Sequence, residues 1–116
     1  MKKWFIATVV LFAISAHANT PGKHTVVLNW TASTTAGVTY NIYRGTAMGV
    51  CSGAPTPYVT GVTGTTYTDS NVTLGTTYYY NVSAVGTGGE SACDGEVAVQ
   101  IPSPPTPPTT LTGTVE

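Results

Sequence analysis

The feature that most restricts what this chain can become is an alternation of period two that runs through residues 24–101. Val26, Leu28 and Trp30 fall on one side of an extended chain while Val27 and Asn29 fall on the other. Val38, Tyr40 and Ile42 do the same against Thr39, Asn41 and Tyr43. Residues 76–85 (TTYYYNVSAV) form the strongest run, with Tyr78, Tyr80, Val82 and Ala84 on a shared face, and residues 95–101 (GEVAVQI) follow with Val97, Val99 and Ile101. Side chains alternate across a strand, so each run predicts a strand with one buried face. Shorter β-prone pieces lie at 58–60 and 65–68. Residues 45–57, rich in Gly and Pro, the Asp69-Ser70-Asn71 triplet and residues 86–89 (GTGG) are turn signals. No helical apolar stripe occurs beyond the first residues. Strands joined by such short turns are antiparallel, and the expected class is an all-β sandwich or barrel. The chain is Thr-rich and low in charge, as disordered chains can be, but 41% hydrophobic content with clear alternation favours a folded core.

The first 18 residues read as something else. Met1-Lys2-Lys3 is a basic head, residues 4–15 (WFIATVVLFAIS) are uncharged and mostly apolar, and Ala16-His17-Ala18 has a small-x-small form. That order predicts a secretory signal peptide cut after Ala18. The apolar run is shorter than the roughly 20 residues a membrane-spanning helix needs. Asn19 follows rather than a cysteine, so no lipid anchor is expected. Cleavage leaves two basic residues, Lys23 and Arg44, against five acidic ones, Asp69, Glu90, Asp94, Glu96 and Glu116, a net charge of −3. Two cations cannot neutralise a row of phosphates or hold an anionic membrane, which excludes nucleic acid and membrane surfaces as partners.

Cys51 and Cys93 are the only cysteines. In an oxidising compartment an even pair predicts a disulfide, and two are too few for a zinc site. A bridge closing a loop of about 40 residues stabilises by about 4 kcal/mol in the chain-entropy account.

The runs VVLNW (26–30), VTYNIYR (38–44), TTYTD (65–69), VTLGTTYYYNVSAV (72–85) and ESACDGEVAVQIP (90–102) together resemble strands B, C, E, F and G of a bacterial fibronectin type III domain. The resemblance implies an immunoglobulin-like antiparallel sandwich of about seven strands. It places Trp30 between the sheets, and Val72, Gly75 and Tyr78 in a tyrosine corner whose phenol bonds to backbone upstream. The implied core is Trp30, Tyr40, Ile42, Val72, Tyr78, Tyr80 and Val82. It also places the loop holding Cys51 at the end of the sandwich opposite the bend near Cys93, so a bridge requires residues 45–57 to fold back along the sheet.

The chain departs from the family at both ends. Residues 19–23 are too short for a full strand A, so that strand is short or missing from the domain of residues 19–101. Residues 102–108 (PSPPTPP) read as a stiff extended linker. Residues 109–116 (TTLTGTVE) resemble the missing strand, with Leu111, Gly113 and Val115 alternating. They are either the opening of a next domain, a frayed tail, or a strand that completes a sandwich by return or exchange.

No catalytic, phosphate-binding or calcium-loop motif is present, and no cofactor or metal site is expected. The acids are scattered, apart from Glu90, Asp94 and Glu96, which read as an exposed acidic edge. The triplets beginning at Asn29, Asn71 and Asn81 fit the glycan-acceptor pattern, most simply by chance in a chain of bacterial appearance. Tyr43, Tyr58 and Tyr79 fall on the outward phase or in loops and are the candidate surface contacts. The expectation is a secreted, non-catalytic interaction or structural module, a spacer, adhesion or carbohydrate-associated sandwich. Its partners would be cell-surface proteins or domains, or glycans. The alternative is a self-assembling fibre subunit that exchanges residues 109–116.

Overall fold

In the computed structural model the described residues are 22–116, so the signal peptide predicted over residues 1–18 lies outside them. The chain divides into two units, His24–Thr109 and a second made of Met1–Lys23 with Thr110–Glu116. All the strands belong to the first. They are β1 (Val26–Asn29), β2 (Thr39–Gly45), β3 (Val59–Val62), β4 (Thr66–Asp69), β5 (Thr77–Gly86), β6 (Gly89–Glu90) and β7 (Val97–Gln100). No helix occurs among the described residues.

The strands form two antiparallel sheets. One has two strands, β1 and β4, with Val26 opposite Asp69 and Asn29 opposite Thr66. The other runs β3-β2-β5, with β6 and β7 side by side along the far edge of β5. Facing residues in an antiparallel ladder share a face. Ile42 pairs with Val82 and Tyr40 with Ala84, while Tyr80 pairs with Val97 and Tyr78 with Val99. The even-numbered residues of β2 and β5 and the odd-numbered ones of β7 therefore point inward. Val26, Leu28, Ile42, Tyr78, Tyr80 and Ile101 form the buried core between the sheets, with Trp30, Val72 and Val82 partly buried against it. Tyr40 is 6% exposed and meets Trp30 edge-on at 5.3 Å. The predicted core residues thus lie in or against the core.

The tyrosine corner is present. The Tyr78 phenol oxygen accepts the Thr73 N–H at 3.0 Å. Gly75 has φ +76° and donates its N–H to Ile101 O at 3.0 Å. A Cβ there would meet Ser103 Oγ at 2.8 Å, so both backbone and space call for glycine.

The Cys51–Cys93 bridge is formed, with Cα atoms 6.5 Å apart. After β6 the chain turns back along β5, with Ser91 N–H on Ala84 O and Asp94 N–H on Val82 O, which carries Cys93 away from the bend. The loop after β2 comes to meet it, and the Glu96 carboxylate accepts the N–H groups of Gly49 and Val50 at 2.9–3.1 Å. Because β5 lies between β2 and β7, this loop reaches across β5. Asn81 and Ser83, on the face of β5 turned away from the core, are buried.

Residues 101–116 contain no strand. Leu111 is 91% exposed and Val115 fully exposed.

Candidate functional site

Three places gather polar or aromatic groups. The first is internal. Asp69 closes β4 and is 1% exposed. Its carboxylate accepts from Arg44 Nη1 at 2.9 Å, Tyr80 Oη at 2.7 Å, Tyr58 Oη at 3.0 Å and the Asn71 N–H at 3.0 Å. Arg44, at an inward position of β2, also lies over the rings of Tyr58 and Tyr78, 3.9 and 4.7 Å from their centroids. Burial pushes the Asp69 pKa up, but the hydrogen bonds from Tyr80, Asn71, Arg44 and Tyr58 outweigh it and hold the carboxyl below its ordinary value. Burial and the bond to Asp69 raise both Tyr80 and Tyr58. The Arg44 guanidinium is raised although burial acts against it, because Asp69 holds its charge. Every acceptor position of this carboxylate is engaged, so it is a structural anion with nothing left to offer a substrate.

The second lies on the outer face of the larger sheet. The Glu90 carboxylate accepts from Tyr43 Oη, Ser83 Oγ and Asn41 Nδ2. Bonds from Ser83 and Tyr43 hold its pKa below the ordinary range, and the bond to Glu90 raises the Tyr43 phenol.

These two clusters correct the candidate contacts. Tyr43 is on the outward phase, as read from the sequence, yet it is 4% exposed, since Glu90 ties its phenol down. It is not a surface platform. Tyr58 is half-buried, with one face under Arg44 and its hydroxyl committed to Asp69. Tyr79 stays half-buried beside Ala98 on the outer face. The expected acidic edge is likewise divided in its work. Glu90 and Glu96 clamp the outer face and the loop after β2, and only Asp94 has no such bond among the described residues. Sequence reasoning read Asp69 as part of a turn and missed its burial. The one signal was Arg44, a cation at an inward position that requires a buried anion.

The third place is a groove along the open side of the sandwich. The larger sheet is four strand positions wide and faces only two strands. Inward-pointing Val97 is consequently 49% exposed. A cavity of about 280 Å³ runs between Leu28, Trp30, Tyr80, Val82, Asp94 and Val97. A second, of about 290 Å³, continues past Trp30 to Tyr40, Ala84 and Ser91. The Trp30 Nε1–H is buried with no hydrogen-bond partner among the described residues. No group of three or more His, Cys, Asp or Glu side chains converges among the described residues, here or elsewhere.

This arrangement of strands, corner and core has relatives. The chain is 42% identical to an Fn3-like protein from Clostridium thermocellum whose crystal structure superposes with a TM-score of 0.57, covering 68% of this chain and 78% of that one. The chain belongs to the fibronectin type III-like family. No protein-family model matches it. This Fn3-like chain is also 44% identical over 77 residues to an amylopullulanase from Thermoanaerobacter thermohydrosulfuricus. That match takes in 66% of the Fn3-like chain but only 5% of the amylopullulanase.

Proposed function

We propose that this chain is an exported, non-catalytic accessory module that serves as a spacer or contact domain in carbohydrate-active protein assemblies. The observation that carries the reading is the amylopullulanase likeness, a domain-sized segment amounting to 5% of a much longer protein. Three features support the same role. The basic-apolar-small order of residues 1–18 is that of a secretory signal. The Cys51–Cys93 bridge suits an oxidising compartment. The acids Asp69, Glu90 and Glu96 are bound to the fold itself, which leaves no paired carboxylates for hydrolysis of a glycosidic bond.

The test is incubation of the purified chain with starch and with pullulan, alongside electrophoresis through gels containing the same polysaccharides. No reducing ends above the buffer control are expected. Slowed migration that Tyr79→Ala abolishes would assign the contact role, and unchanged migration the spacer role. Release of reducing ends by the pure chain contradicts the proposal.

A further inference from the structure

We infer that the groove beside β1 is an acceptor site for an extended segment, and that its occupant is residues 109–116 of a second copy of this chain. A sheet four positions wide is faced by two strands, and among the described residues nothing pairs with the edge of β1 that β4 leaves free. A bare strand edge presents unpaired N–H and C=O groups and is a template for another strand. Here that edge borders a cleft in which Leu28, Trp30, Val82 and Val97 alternate with polar groups such as Thr31 and Asp94.

The cleft has the features an added strand would complete. Val97 points inward and is half exposed, although its ladder partner Tyr80 is 1% exposed. Burial along β5 also changes phase. Tyr78 and Tyr80 are buried on the inner face, whereas farther along the buried residues are Asn81 and Ser83 on the outer one, and inward Val82 and Ala84 are only half-buried. The bridged loop covers the outer face there, and the inner face lacks cover. Trp30 stands in the groove wall, and among the described residues its buried indole N–H has no acceptor, an unfavourable state for a buried donor. An added backbone brings a row of carbonyls to that wall.

The donor is set by pattern and reach. Thr110, Thr112 and Thr114 alternate with Leu111, Gly113 and Val115, so an extended chain has one apolar and one hydroxyl face. Thr and Val favour strands, yet this segment is not a strand, and Leu111 and Val115 are exposed. Eight residues span about 26 Å when extended, more than the roughly 13 Å of the four-residue β1. The Pro-rich residues 102–108 favour an extended spacing of about 3.1 Å per residue, about 22 Å in all, reach enough for the donor to meet a neighbouring copy. Strand addition of this kind joins backbone to backbone, with alternate side chains seated in the groove. A head-to-tail contact repeats from copy to copy, giving a ring where its rotation closes and an open chain where it does not.

Sedimentation velocity of the purified full chain over an about hundredfold concentration range tests this. The parent is expected to self-associate reversibly. The double variant Leu111→Asp/Val115→Asp should sediment as a monomer with unchanged near-ultraviolet circular dichroism, since both positions lie outside the core. A synthetic peptide of residues 109–116 should dissociate the parent assemblies and shift the Trp30 emission. A parent that stays monomeric throughout overturns the proposal, as does a double variant that associates as readily as the parent.

Discussion

Asp69 joins Arg44, Tyr58, Asn71 and Tyr80 through one buried carboxylate. Removing its carboxylate in Asp69→Ala leaves Arg44, with a side chain 17% exposed, as an uncompensated cation among aromatic rings. Breaking a buried pair from one side costs about 3–5 kcal/mol, which urea denaturation of parent and variant would show. The same group sets an acid limb. Its pKa is lower in the folded chain than unfolded, so its contribution is complete above the ordinary carboxylate value of about 4 and is lost as pH falls through the depressed folded value. Stability measured by thermal melts should therefore fall below about pH 4, and Asp69→Asn should flatten that limb. Tyr78→Phe removes the acceptor for the Thr73 N–H and should cost about 1 kcal/mol, seen as a lower melting temperature at constant pH. Tyr78 could be placed from its position after Val72 and Gly75, because the corner is a local pattern. Asp69 could not. Asp-Ser-Asn is a turn signal, and only the arrival of Tyr80 and Arg44 from other strands makes the aspartate a buried hub.

At the level of elements, β propensity marked the short β3 and β4, and alternation was enough to locate β1, β2, β5 and β7 within a residue or two. Each has one face against the core, and that is what period two reports. The two-residue β6 was read as part of a bend, since its pairing with Val85 and Gly86 depends on the partner rather than on its own residues. The loop over residues 46–58 carries no periodicity, and its path across β5 is imposed by Cys93 and Glu96 from the far side. Tyr43 lies beneath the surface for a related reason, since Glu90 of β6 reaches over from the other side of β5 to hold its phenol. The double variant Cys51→Ser/Cys93→Ser should lose about 4 kcal/mol of stability in the chain-entropy account. Hydrogen exchange should then accelerate in the loop and around Asn81 and Ser83, while β1 and β4 keep their protection relative to the new global stability. Gly75→Ala should destabilise by about 1–2 kcal/mol, because an L residue is strained at φ +76° and its Cβ meets Ser103. Unfolding in denaturant measures both.

As a whole, the molecule is a family member made stiff on one side and left incomplete on the other. The bridge, Glu90 and Glu96 tie down the outer face, and the two-strand sheet leaves the inner face of β7 uncovered. The sequence raised such an imbalance as an expectation, through the strand pattern of residues 109–116. It did not show the groove, which exists only because β6 and β7 extend the larger sheet past β1. One measurement tests most directly whether this body is the exported, disulfide-locked module proposed above. Intact mass is determined on protein recovered from outside the cytoplasm and alkylated without prior reduction. The account predicts the mass of residues 19–116 carrying one disulfide and no alkyl groups, with two added only after reduction. A chain that keeps Met1 in the cytoplasm, with both cysteines alkylated, would contradict it.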